Sequence, residues 1–146
     1  MIDEAHFRKL ERMYLAAPIN EFYAPTIRIS EGYAELRMIV HRRLFHAANA
    51  VHGSVYFKAL DDAAFFAVNS LVPDVFVLTV SFTIHLLRPV SEGEIRSIGR
   101  TVFRGRRLFV AEAQLVDAAG DELARGTGTF MPSAIPLAAE IGYAHP

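Results

Sequence analysis

The sequence predicts an α+β domain in which a curved antiparallel sheet wraps around one long buried helix. Three observations predict it. The segment from residue 53 to 70, GSVYFKALDDAAFFAVNS, is apolar on nearly every side, so a helix there must be covered on most of them. Strand-like runs flank it, two before and four after, joined by short turns that favour antiparallel pairing. The chain has 146 residues, 52% hydrophobic and 21% charged, which suits one globular domain with a substantial core.

The elements follow in order. Residues 3 to 15 place Ala5, Phe7, Leu10, Met13 and Tyr14 at helical spacing among charges, and Pro18 ends that run. This amphipathic helix with its linker, 1–18, is expected outside the sheet. TIRIS (26–30) and YAELRMIV (33–40) read as strands around a turn at Glu31 and Gly32. HRRLFHAANAVHG (41–53) has no clean period and reads as a loop leading into the helix. After LVPD, Leu78, Val80, Phe82, Ile84 and Leu86 alternate with Thr79, Ser81, Thr83 and His85, a strand with one apolar and one polar face closed by Pro89. EIRSIGRTVFR and RLFVAEAQLVD form two more strands around Gly105, and LARGTGTFM follows the turn DAAGDE. The tail, 132–146, is rich in Ala and Pro and is assigned no firm structure. A core over 26–131 inside a single domain spanning 1–146 is the expectation.

The totals exclude several classes. A formal charge of −1 leaves no global basic field to recruit nucleic acid or an anionic membrane. With no cysteine there is neither a disulfide nor a thiolate metal site. The start, MIDEAHFRKLERMY, lacks the apolar core of a signal peptide, and no apolar run reaches membrane-span length. A soluble, cytoplasmic protein is expected, with no nucleic-acid or membrane partner. The six histidines have no carboxylate at ligand spacing, so no metal and no cofactor are expected.

The central helix poses the functional question. Ser54, Lys58, Asp61, Asp62 and Asn69 form a narrow polar stripe on an otherwise apolar cylinder, with the two aspartates about 100° apart. One reading is a solvated stripe in which Lys58 pairs with an aspartate at i,i+3 or i,i+4 spacing. The other is catalytic, because a carboxylate at the edge of an apolar surface has a raised pKa, as general bases often do. The pattern alone leaves both open. Gly53 lies where the helix begins, so its N–H is an unpaired first-turn donor suited to an oxyanion. Equally, Gly53 could relieve a tight turn while Ser54 caps the helix.

Together, these residues resemble the hotdog-fold acyl-CoA thioesterases of the PaaI-like, phenylacetate-degradation type. The resemblance rests on His52-Gly53-Ser54 followed by Asp61 and the run AAFFAVNS, on the strand LTVSFTIHLLRPVSEGE, and on a central helix followed by four strands. It covers residues 26 to 131. It implies a hotdog fold, docking of the thioester carbonyl on the Gly53 N–H, Asp61 as general base or nucleophile, and Thr79 as a residue positioning the attacking water. Asp62 then becomes the partner of Lys58. Gly53 and Asp61 are eight residues apart, roughly 12 Å along one helix, too far for one carbonyl to touch both. If both act at one centre, each must come from a different subunit, which agrees with the homodimers and homotetramers of the family. Many relatives have a second Gly where this chain has Ser54, and some have Asn where it has His46; Asn49 is nearby but out of register.

His52 is a further candidate catalytic residue, which could act as an acid but is expected rather to orient the loop by hydrogen bonds. Phe65, with Tyr56, Phe57 and Phe66, is a candidate lining of an acyl pocket, and Arg104 and Arg106 at a hairpin are candidate contacts for coenzyme A phosphates. His85 is read as a surface or interface residue. Hydrolysis of an acyl-CoA to free acid and coenzyme A is the leading reading. The alternatives are a non-catalytic acyl-CoA-binding hotdog protein and, ranked lower, a hotdog dehydratase or hydratase.

Overall fold

The computed structural model describes residues 2–146. Helix α1 (Glu4–Ala16) starts at Asp3, whose carboxylate accepts from the His6 N–H at 3.0 Å, as an N-cap should. A short α2 (Asn20–Tyr23) leads into β1 (Thr26–Ser30) and β2 (Tyr33–Ile39). The loop after β2 carries one 3-10 turn, Arg42–Leu44, before α3 (Gly53–Asn69). Then come β3 (Val75–Leu86), β4 (Glu94–Arg104), β5 (Phe109–Val116) and β6 (Glu122–Pro136), and a second 3-10 turn at Ala139–Ile141.

The six strands form one antiparallel sheet in the order β1-β2-β4-β5-β6-β3. The expected order of helix, two strands, helix and four strands is present, and α3 packs on the inner face of the sheet as a hotdog fold requires. Small residues allow the approach. Ala59, Ala63, Ala64 and Ala67 are buried on α3, and a methyl group added to Gly99 of β4 would lie 2.3 Å from the Ala63 carbonyl. Helix and sheet therefore touch backbone to backbone at that point. Among the described residues no helix is long and apolar enough to cross a membrane.

Two expectations need correction. The first concerns β3, where simple alternation puts Leu78 and Val80 on one apolar face with Phe82 and Ile84. Thr79 pairs with Phe130 and Ser81 with Thr129, so Val80 is an extra residue in a β-bulge. The bulge resets the alternation. Buried Val77 and half-buried Thr79 face α3, Leu78 and Val80 are exposed, and beyond the bulge Phe82 and Ile84 turn inward. Phe82 fits there because Gly126 and Gly128 opposite it have no side chains to fill the space.

The second correction concerns the tail. β6 does not stop at Met131 but continues to Pro136, and Val77 pairs with Pro132 and Val75 with Pro136. Phe130 pairs with Phe109, the first residue of β5, so the later residues of β6 have β3 as their sole neighbour. A proline lacking its N–H is tolerated where one side of the strand is free.

The end of α3 aims β3. Asn69, fully buried, donates from Nδ2 to the carbonyls of Val72 and Val75, at 3.1 Å each, and accepts from the Val77 N–H at 3.1 Å. One side chain thus closes the turn that delivers Thr79 to the helix.

Candidate active site

Asp61 occupies the middle of α3, and the inward-facing Thr79 stands opposite it. The Thr79 hydroxyl donates to Asp61 Oδ1 at 2.8 Å. Among the described residues Asp61 makes no ion pair. Burial pushes its carboxyl up to about 6, and the neighbouring charge of Asp62 adds to the rise. The Thr79 hydrogen bond and the Lys58 ammonium work against it.

Asp62 has different company. Its Oδ2 accepts from Lys58 Nζ at 2.7 Å and from the Tyr14 hydroxyl of α1 at 2.6 Å. The expected Lys58–Asp62 pair is therefore present, one helical turn apart. The ammonium also lies 5.4 Å from the Tyr14 ring centre and 4.9 Å from that of Tyr23. Burial, then the charge of Asp62, raises the Tyr14 hydroxyl far above its ordinary pKa, so it stays a donor.

Both aspartates border a cavity of about 970 Å³. Its apolar walls include Met13, Phe65, Phe66, Phe76, Leu78 and Ile141. Phe65 packs edge-on against Phe66 and tilted against Phe76. The arrangement joins a proton acceptor to an apolar chamber, which suits attack on the carbonyl end of a largely apolar substrate.

The start of α3 forms a separate cleft of about 320 Å³, shared by Gly53, His46, Tyr56, Leu86 and Arg88. His52 caps the helix: its Nδ1 accepts from the Ser54 N–H at 3.0 Å and lies 2.8 Å from the Ser54 hydroxyl. Among the described residues nothing accepts from the Gly53 N–H. A Cβ at Gly53 would come within 3.2 Å of Leu86, a tight fit. His46 Nδ1 accepts from the Ala48 N–H, and Asn49 takes a left-handed turn, φ 63°, on an exposed loop.

Within one chain the structure brings Asp61, Thr79 and Phe65 together and leaves His46 and Gly53 at the other cleft, with His52 and Ser54 in the helix cap and Asn49 on the loop before it. Arg104 and Arg106 belong to neither. Arg104 donates to the Leu71 carbonyl just beyond the far end of α3, and Arg106 is exposed in the β4–β5 hairpin. Of the other aromatics, Phe66 lines the cavity of Asp61, Tyr56 the cleft of Gly53, and Phe57 packs edge-on against Phe82 of the edge strand β3. His85 is exposed, opposite Arg125 on the outer face. No group of three His, Asp or Glu among the described residues could hold a metal ion. Sequence reasoning missed Tyr14, Phe76 and the tail as parts of the site. Met13 and Tyr14 sat in the apolar stripe of α1, a signal that served only for the helix.

A family model for the thioesterase superfamily matches residues 48–124, more than half of the chain. The chain belongs to the thioesterase superfamily. Its β3, α3 and the Asp61–Thr79 pair all lie within that match. A Saccharolobus solfataricus protein named as a candidate esterase is 28% identical over 104 residues, 71% of this chain and 69% of that protein. Among solved structures, a thioesterase-family protein of Silicibacter pomeroyi is 29% identical, with TM-score 0.79 over 86% of this chain and 96% of the other. The PaaI protein of E. coli, from the phenylacetic acid degradation operon, shares the fold at TM-score 0.84 and 19% identity, covering 93% of this chain and 99% of its own. This member of the superfamily therefore has a PaaI-like hotdog fold, and its family supports a thioester hydrolase.

Proposed function

We propose that the protein hydrolyses acyl-coenzyme A thioesters, with Asp61 as the reactive carboxylate. The observation that carries this is Asp61 itself, a half-buried carboxylate without a cation, held by Thr79 at the wall of an apolar cavity. As general base, Asp61 takes a proton from a water that Thr79 helps to position, and the resulting hydroxide attacks the thioester carbon. The C–S bond then breaks, and the proton returns from Asp61 to the coenzyme A sulfur. In the nucleophilic variant Asp61 attacks directly, forming an anhydride that water hydrolyses.

The oxyanion also needs a donor. Gly53 is roughly 12 Å from Asp61 along the same helix. We assign that role to Gly53 of the partner subunit in a homodimer, which two such dimers could extend to a homotetramer. β3 offers the contact: it is a 12-residue strand at the edge of the sheet, with Leu78, Val80 and Leu86 exposed. An edge of that length and character is a template for pairing with a copy of itself. His52 and Ser54 hold the donating turn in shape, while His46 and Asn49 flank the approach to it. Arg104 and Arg106 are left as phosphate contacts for a coenzyme A reaching across subunits.

The test is thiol release from a panel of acyl-CoAs, with Asp61→Asn assayed beside the wild type. Release that disappears in a folded, dimeric Asp61→Asn protein is the expected result. Saturable binding of acyl-CoA without release from any of them would overturn the reading in favour of a non-catalytic binder.

A further inference from the structure

The family match ends at residue 124, yet more than half of the residues lining the cavity of Asp61 lie outside it, in α1, the α1–α2 turn and the C-terminal segment. We infer that the C-terminal segment 135–142, docked on α1, is the wall that sets the length of acyl chain the site accepts, and that this chain is uncharged to its tip. The inference rests on the acyl-CoA reading above and names its substrate class.

Four features carry it. The cavity runs from Asp61 and Thr79 to Met13, Ile19, Ile135 and Ile141, so its far part is apolar. Its volume of about 970 Å³ lies at the upper end of small-molecule sites, more than a short acyl group would fill. The cations and donors nearby are engaged, since Lys58 is held by Asp62 and Asn20 Nδ2 donates to the Tyr14 carbonyl at 2.7 Å. Glu140 borders the cavity and would repel an anionic tip.

The wall is fastened at both ends. The Leu137 N–H donates to the Asp74 carbonyl at 3.0 Å. At the other end the Tyr143 hydroxyl meets His6 Nδ1 at 2.8 Å, and His6 Nε2 lies 2.9 Å from the Asn69 carbonyl. With Nε2 as the donor, Nδ1 accepts from Tyr143. Burial lowers the pKa of His6, which keeps this neutral form. Gly142 lets the segment lie flat on α1: its φ is +90°, and a Cβ there would come 3.2 Å from Met13 Cα. The 3-10 turn between these anchors presents Ile141 to the cavity.

Ile141 is 38% exposed, so exchanging it leaves the core intact. Straight-chain acyl-CoAs from butanoyl to hexadecanoyl are compared with wild type, Ile141→Ala and Ile141→Trp. The ratio of kcat/KM for long over short chains should rise in the first variant and fall in the second, each by roughly tenfold, as a change of a methylene or more in an apolar pocket produces. Turnover in both variants with an unchanged ratio overturns the wall. If the wild type hydrolyses none of these, the hydrolase reading fails by itself. The wall is then read by calorimetry with S-alkyl coenzyme A thioethers of the same lengths. There the two variants must shift affinity for long chains in opposite senses, and equal affinities overturn the inference.

Discussion

Asp61 and Asp62 are covalent neighbours on α3, yet their surroundings differ in every respect that matters to a carboxylate. Asp62 shares one oxygen between a lysine and a tyrosine, and its side chain is 18% exposed against 11% for Lys58. Among the described residues Asp61 receives one hydroxyl and no cation, and burial raises its pKa to about 6. The difference teaches that α1 shapes the surroundings of the two aspartates. By sending Tyr14 to Asp62 it holds that carboxylate in place beside Lys58, while Asp61 keeps Thr79 as its partner.

The sharpest way to break this comparison is to neutralise each aspartate in turn. Asp61→Asn should lower kcat by roughly 10²–10⁴, whereas Asp62→Asn should keep activity within about tenfold of wild type. Denaturation measured at pH 8 should show opposite signs. Asp62→Asn strips Lys58 and Tyr14 of their charged partner and should destabilise the fold by about 1–3 kcal/mol. Asp61→Asn should stabilise it by on the order of 2 kcal/mol. The sign follows because the native state binds the Asp61 proton more tightly than the unfolded chain. Wild-type stability is therefore lost as pH rises from the ordinary carboxylate value, 3.8, through about 6. The advantage of the asparagine should vanish at acidic pH.

A gentler test is the pH–rate profile. Wild-type kcat/KM should climb with pH through about 6 as Asp61 ionises. Thr79→Val removes a hydrogen bond to the ionised form and should move that rise to higher pH. Asp62→Asn removes a like charge and frees the Lys58 ammonium, so the rise should move lower. Shifts in the same direction would mean that the two flanks are not electrically distinct. The smallest effect belongs to Tyr14→Phe, which deletes one hydrogen bond to Asp62 and should cost about 0.5–1.5 kcal/mol of stability, read from the denaturation midpoint.

Much of the fold was legible in the sequence because it depends on local pattern. The apolar run 53–70 announced a covered helix, and spacing put both aspartates within reach of Lys58 without choosing between them. The bulge at Val80 was not legible, because an extra residue in one strand is defined by its partner, and Thr79↔Phe130 followed by Ser81↔Thr129 is a long-range register. That register matters, since it turns Thr79 toward Asp61. The tail was obscured by Pro132 and Pro136, which look like breakers until β6 is known to have a free side there. Choosing Asp61 over Asp62 required family resemblance; the helical wheel treats them alike. Their partners separate them physically: Lys58 and Tyr14, the latter 48 residues earlier in the chain, on Asp62, and Thr79 on Asp61.

Gly99 carries a consequence of its own. Where α3 rests on it, main chain meets main chain, and no side chain lies between to act as a cushion. Side chains can rotate to absorb a disturbance, but a peptide carbonyl pressed against a strand cannot. Asp61 stands two residues before that seat, so its height above the sheet is a fixed datum and not an average over rotamers. Enlarging residue 99 by a single methyl would lift the helix like a shim and open the gap to Thr79. In the role proposed for it, a carboxylate mounted this way is in place before any substrate arrives, and little reorganisation stands between binding and reaction.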